Sequence, residues 1–192
     1  MELELTKGVD TDRINCLNTI FNLNLPKSQY ERYKEHGASP VILTFIGMES
    51  RSFGTFMERV AREIFCLQKG KLSSYDHQRH GFRIEQKSSR YWTDNKWKFQ
   101  HIEIKHEWDC LLLCGVDYNQ LCYYITSRQT IDELINKNII TGQGRKNNYG
   151  ISQPQQAYWF SISDFKKKKK DFYDYFTCIS TEKELDDYLL SV

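Results

Sequence analysis

The stretch RIEQKSSRYW, residues 83 to 92, sets Glu85 and Lys87 two positions apart among strand-forming neighbours. In a β-strand residues i and i+2 share a face, so this carboxylate and ammonium project together while Ile84 and Gln86 point the other way. Asp76 lies upstream and completes Asp-x8-Glu-x-Lys. Two carboxylates converging on one point offer the oxygen ligands that Mg²⁺ takes, with Mn²⁺ as an alternative on the same hard donors. A metal held there lowers the pKa of bound water and neutralises charge developing on a phosphate. Lys87 adds a point cation that orients the nucleophile or stabilises the phosphate. The chemistry in view is phosphodiester hydrolysis. The plain alternative is a surface ion pair, worth about 1 kcal/mol at most.

A second triplet, Glu103-Ile104-Lys105, has Asp94 upstream at the same separation and is equally strand-like. Connection length separates the two. A parallel neighbour needs a crossover of a dozen or more residues, and about twenty lie between Lys87 and the apolar WDCLLLCGVD stretch, whereas Lys105 almost abuts it. Glu85 and Lys87 are therefore preferred. Glu58, in GTFMERVAREIF, is either a helix-paired glutamate with Arg62 at i+4 or an accessory carboxylate facing the metal. His77 and His80 have the spacing of half a zinc site, yet no matching Cys or His pair stands at a suitable distance. They read as polar or phosphate-facing.

Two segments bear on a nucleic-acid partner. The lysine run 166–170 reads as a solvated face; bordering a groove, it adds salt-dependent phosphate attraction without sequence information. The segment TGQGRKNNYGISQPQQ (141–156) is either a plain polar loop or a recognition loop. Gln143, Arg145, Asn147, Asn148, Gln153, Gln155 and Gln156 supply amides and a guanidinium of the kind that read adenine and guanine edges.

The elements that must position these groups follow from hydrophobic periodicity. With 192 residues, 40% of them hydrophobic, the chain suits one folded domain over 1–192. Its 27 basic and 25 acidic residues nearly cancel, so only local clustering argues for nucleic acid. Six cysteines form no CxxC pair, and Cys110, Cys114 and Cys122 sit in apolar runs as small core residues. With no secretory h-region at the start and no long apolar span, a reducing, cytoplasmic setting is expected. Helices are expected over 10–24, over 50–70 with Gly70 as the stop, after Ser127 or Thr130, and at the end, where Thr181 and Glu184 form a capping box. PVILTFIGM (40–48) is a buried strand or the approach to the next helix. Residues 71–81 read as polar connection. Strands are expected over 82–90, 108–117 and 120–127, the middle one covered on both faces, with a further strand at AYWFSISDF. Helices and strands intermingle, so the class is α/β or α+β.

Gly54 and Glu58 on a helix, Asp76, the run Glu85-Gln86-Lys87-Ser88-Ser89, then WKFQHI and WDCLLLCGVD together resemble a PD-(D/E)xK nuclease of the type II restriction-endonuclease-like kind. The resemblance spans residues 50–127; Tyr75 stands where the family pattern has proline. It implies an α/β fold with an αβββαβ core, a mixed central sheet flanked by helices. It further implies Asp76 and Glu85 as Mg²⁺ ligands, Lys87 as the water-positioning or charge-stabilising group and Glu58 as accessory carboxylate. Gln100 takes the place of the polar residue that follows the ExK strand in many members. The implied function is a Mg²⁺-dependent endonuclease cutting double-stranded DNA sequence-specifically as a homodimer, since two-fold symmetry matches palindromic sites. The rivals are a structure-specific or RNA-directed nuclease of the same fold and a non-catalytic nucleic-acid-binding or regulatory module.

Overall fold

In the computed structural model, residues 28–92, 96–143 and 157–192 are described. The helix expected over 10–24 lies outside them, as do Asp94 and, in the polar loop, Arg145, Asn147, Asn148, Gln153, Gln155 and Gln156. Among the described residues no helix is long and apolar enough to cross a membrane.

Three helices open the described chain: α1 (Gln29–Glu35), α2 (Pro40–Gly47) and α3 (Ser50–Phe65). The stretch 40–48, strand-like in composition, is a helix because its start is built as one. Ser39 accepts the Ile42 N–H and Pro40 occupies the first turn, where its missing N–H costs nothing. The amphipathic α3 buries Phe53, Met57, Ala61 and Phe65. It stops at Cys66, which takes the left-handed conformation at φ 49°, and not at Gly70. The Arg79 guanidinium donates to the exposed end carbonyls of Phe65 and Cys66 at 3.0 and 2.9 Å, satisfying the acceptors that every helix C-terminus leaves open.

The strands β1 (Gln68–Lys69), β2 (His77–Arg79) and β3 (Phe82–Arg90) follow. The polar connection expected over 71–81 thus contains a strand. It is joined to β3 by a two-residue turn in which His80 and Gly81 both have positive φ, the geometry tight hairpins require. After β4 (Lys98–Ile102) come β5 (Cys110–Val116) and β6 (Leu121–Ser127), then α4 (Arg128–Asn136), capped by Ser127. The strands β7 (Thr141–Gly142) and β8 (Tyr158–Ser161) precede α5 (Ile162–Lys167), with β9 (Thr177–Ile179) and α6 (Glu182–Leu189) last. The strand expected over AYWFSISDF ends halfway: Ser161 and Asp164 form a capping box that turns the chain into α5. Lysines 166–170 lie exposed at the end of that helix.

The main sheet has the order β1-β2-β3-β5-β6-β9 and a second carries β4-β8-β7. In the first, β3 runs parallel to β5 with Glu85 opposite Leu111 and Lys87 opposite Leu113, and the other pairings are antiparallel. The sheet is therefore mixed and the class α/β. The parallel crossover from β3 to β5 passes through β4 of the second sheet and contains no described helix. The parallel pair is clamped at its start, where Arg83 donates to both Asp109 carboxylate oxygens at 3.0 and 2.8 Å. On one face Ile84, Cys110, Leu112 and Cys114 pack with α1, α2, α3 and α6; on the other Leu111 and Leu113 pack with the second sheet and α4. All seven residues of β5 are buried, which is why they read as one continuous apolar run.

Candidate active site at the open edge of β3

The hairpin holds β3 only as far as His77 opposite Ile84. From Glu85 to Arg90 the edge away from β5 has no strand partner in the sheet among the described residues. Asp76 sits where this pairing ends. Its Oδ2 accepts the Gln86 N–H at 2.8 Å, and its own N–H donates to the Ile84 carbonyl at 3.1 Å. A side chain thus takes over from a strand, and it fixes the Asp76 carboxylate beside the Glu85–Lys87 pair.

The period-two reading of β3 holds. Ile84 packs in the core under α3, whereas Glu85 and Lys87 alternate with it and meet: Lys87 Nζ donates to Glu85 Oε1 at 2.5 Å. This is no surface pair, because the Glu85 side chain is only 7% exposed and that of Lys87 20%. Burial, with Asp76 as a second negative charge nearby, pushes the Glu85 carboxyl up to about 7 against the opposing pull of Lys87. Glu58 is half-buried on α3. Its carboxyl is raised by burial first and by Asp76 second, while Arg62 and then Lys87 pull it down. Its Arg62 partner at i+4 is distant, at 4.0 Å. Asp76 and Lys87 therefore act on both Glu58 of the helix and Glu85 of the strand.

Behind this group His77 Nε2 donates to Gln86 Oε1 at 2.8 Å, and Gln86 Nε2 donates to Ser88 Oγ at 3.0 Å. Burial keeps the His77 pKa below its usual value, so the imidazole is a neutral brace for β3. His80 pairs with Asp186 at 2.9 Å on the far side of the hairpin, and the two histidines share no site.

A cleft of about 480 Å³ opens along the free edge, with Ser50, Gly54 and Glu58 of α3 on one wall and Lys98, Gln100 and His101 on the other. Gln100 reaches it because β4 is irregular between Phe99 and Ile102, with His101 at φ 59°; such bulges re-aim side chains beside functional sites. The Gln143 Oε1 accepts the His101 N–H at 3.2 Å, so the polar loop begins against the cleft wall. The competing triplet is not on a strand. β4 stops at Ile102, and Glu103 pairs with His106 at 3.1 Å, while Lys105 lies exposed in a turn. Glu103 nonetheless comes near enough to add slightly to the upward push on Glu85.

Sequence reasoning missed Ser88, Arg90, Trp92, Lys98 and His101, all of which line the cleft. Lys98 and Gln100 alternate with the buried Phe99, a visible period-two signal; nothing local marks Trp92. Among the described residues no three acidic, His or Cys side chains are gathered closely enough to cage a metal ion; Asp76 and Glu85 offer hard oxygen donors near each other. That suits Mg²⁺, which binds through one or two carboxylates and keeps several waters. No family model and no curated protein matches this chain.

Proposed function

We propose that this protein is a Mg²⁺-dependent endonuclease that hydrolyses phosphodiester bonds of DNA, built on a restriction-endonuclease-like αβββαβ core. The observation that carries this reading is the buried Glu85–Lys87 pair with Asp76 as a second negative charge nearby, where Lys87 and Glu58 line one cleft. A purely structural pair does not require two further carboxylates at its side. Counting α3, β1, β2 and β3 as αβββ and β5 as the last strand of the core, β4 stands where the pattern has its crossover helix.

In this reading Asp76 and Glu85 hold the cation and Glu58 supports it. When bound, a divalent cation supplies positive charge beside the phosphate and a more acidic water. The chain's own contribution is placement. The Gln86 N–H fixes Asp76, the His77–Gln86–Ser88 chain braces the strand, and the helix holds Glu58 across the cleft. Lys87, 2.5 Å from Glu85, would stabilise the negative charge that builds on the phosphate. The groups at the mouth of the polar loop, Gln143 among them, read base edges of a duplex bound by a homodimer.

Incubation of the purified protein with supercoiled plasmid tests this reading. Nicking or linearisation that needs Mg²⁺ or Mn²⁺ and stops with a chelator is the expected result. Plasmid left intact at every metal concentration, with DNA still bound, means a non-catalytic binding module.

A further inference from the structure

Beyond the catalytic end the cleft changes character. Arg90, Trp92, Lys98, Gln100 and His101 line it, and the carboxylates are left behind. Trp92 is the unusual member. Indoles are ordinarily among the more buried side chains, yet this one is 39% exposed, and of the large exposed apolar residues described it is the one that lines this cleft. Exposure here does not come with a loose backbone. The Trp92 N–H donates to the Lys96 carbonyl at 3.0 Å, the Arg32 guanidinium donates to the Trp92 carbonyl at 2.6 Å, and Gln29 Nε2 donates to the Tyr91 carbonyl at 2.9 Å. The preceding Tyr91 is stacked on Trp97 at 5.2 Å and 13°, and its N–H donates to the buried Tyr33 hydroxyl at 2.9 Å. The chain thus presents an aromatic face on a fixed mount. Lys98 Nζ stands over the ring, 4.9 Å from its centroid, a cation–π contact that holds positive charge against one face, so the stacking surface for a base is the other.

A rigid exposed aromatic in a groove with cationic walls is the architecture that grips single strands: phosphates follow the charge and bases stack on the ring. A paired base in a duplex has no free face to offer it. Five residues of extended chain separate Lys87 from Trp92, at most about 17 Å, which is the span of about five stacked nucleotides. We infer that the DNA strand lying in this cleft is unpaired beside the scissile phosphate, with one base stacked on Trp92. The inference rests on the proposed nuclease reading and narrows its substrate to duplexes that carry, or are opened to, a short unpaired segment.

The test is binding, measured without divalent metal so that cleavage plays no part. Fluorescence anisotropy with a short labelled DNA strand, and with the same sequence as a matched duplex, compares the wild type with Trp92→Ala and Trp92→Phe. Trp92→Ala is expected to weaken single-strand binding by roughly 5- to 140-fold, the range for loss of one stacked base. Trp92→Phe keeps a ring and is expected to restore most of that loss. Matched-duplex affinity is expected to change less than about twofold, since only phosphate contacts act there. Equal single-strand affinity in wild type and Trp92→Ala overturns the inference; so does an equal loss on strand and duplex, or no recovery with Trp92→Phe. Because no cleavage is read, an absence of nicking refutes the nuclease reading without touching this result.

Discussion

Glu85 is buried beside a second carboxylate, and that arrangement has a cost that can be measured. Its carboxyl rises from an ordinary 4.5 to about 7. At about 1.36 kcal/mol per pH unit, holding it ionised in the metal-free fold costs about 3 kcal/mol. The sign is fixed by the direction. A carboxyl whose folded pKa is raised contributes stability that is fully present below about 4.5 and is lost as pH climbs through about 7. Metal-free protein is therefore expected to become less stable from pH 5.5 to pH 8. Glu85→Gln, an uncharged isostere, is expected to lose most of that slope and to exceed the wild type at pH 8 by up to about 3 kcal/mol. For a chain of this size that corresponds to about 6–12 °C in Tm. Glu58 shifts in the same direction, so some slope remains in the variant. Urea unfolding in a chelator, at both pH values, reads the effect directly. Added Mg²⁺ is expected to stabilise the wild type more at pH 8 than at pH 6, because its ligands must be deprotonated. Wild type and Glu85→Gln following the same pH curve would refute the crowding described here.

Three further outcomes follow from other contacts. Arg79 donates to Asp186 at 2.5 and 2.7 Å, to Glu182 at 2.6 Å and to the end of α3; Arg79→Met is expected to cost about 2–3 kcal/mol by urea midpoint while leaving cleavage intact. A Cβ at Gly115 would overlap the Trp97 indole, so Gly115→Ala is expected to lower stability by about 1–3 kcal/mol through forced repacking, seen as a drop in Tm. Gln143→Ala is expected to reduce discrimination between preferred and mismatched duplexes by about 1–3 kcal/mol, whereas replacing two lysines of 166–170 weakens binding uniformly and flattens its salt dependence; cleavage competition assays separate the two.

The parts of this fold that could be read from the chain were those whose signal is local and strong. β5 announced itself as an unbroken apolar run, α3 by its apolar stripe, and α6 by the Thr181–Glu184 box. Connection length left room for a parallel neighbour after Lys87, and β5 takes that place beside β3. What could not be read was decided by tertiary context. Residues 40–48 have strand-like composition, but Ser39 and Pro40 start a helix, and Ile42 and Ile46 on one of its faces join the core. The β2 turn uses His80-Gly81, and histidine is not a residue whose presence marks a hairpin. In the site, the shared face of Glu85 and Lys87 was legible because a strand's period is rigid, whereas Asp76, outside any strand, was chosen by its spacing from Glu85. The far wall was not, because it depends on a bulge at Gln100–His101 and on a second sheet whose strands lie far apart in the chain. The stretch 10–24, expected to be helical, and most of the polar loop fall outside the described residues.

The claim at the centre is that Glu85 and Lys87 address one scissile phosphate rather than each other. Single-turnover cleavage of a DNA substrate in Mg²⁺ by Lys87→Ala, Glu85→Ala and Lys105→Ala, each checked for wild-type folding, tests it most directly. Lys87→Ala is expected to lose on the order of a hundredfold or more, about 3 kcal/mol at 1.36 kcal/mol per tenfold. Glu85→Ala is expected to abolish cleavage, and the exposed Lys105→Ala to leave the rate unchanged. Lys87→Ala cutting at the wild-type rate, or Lys105→Ala failing to cut, contradicts the assignment.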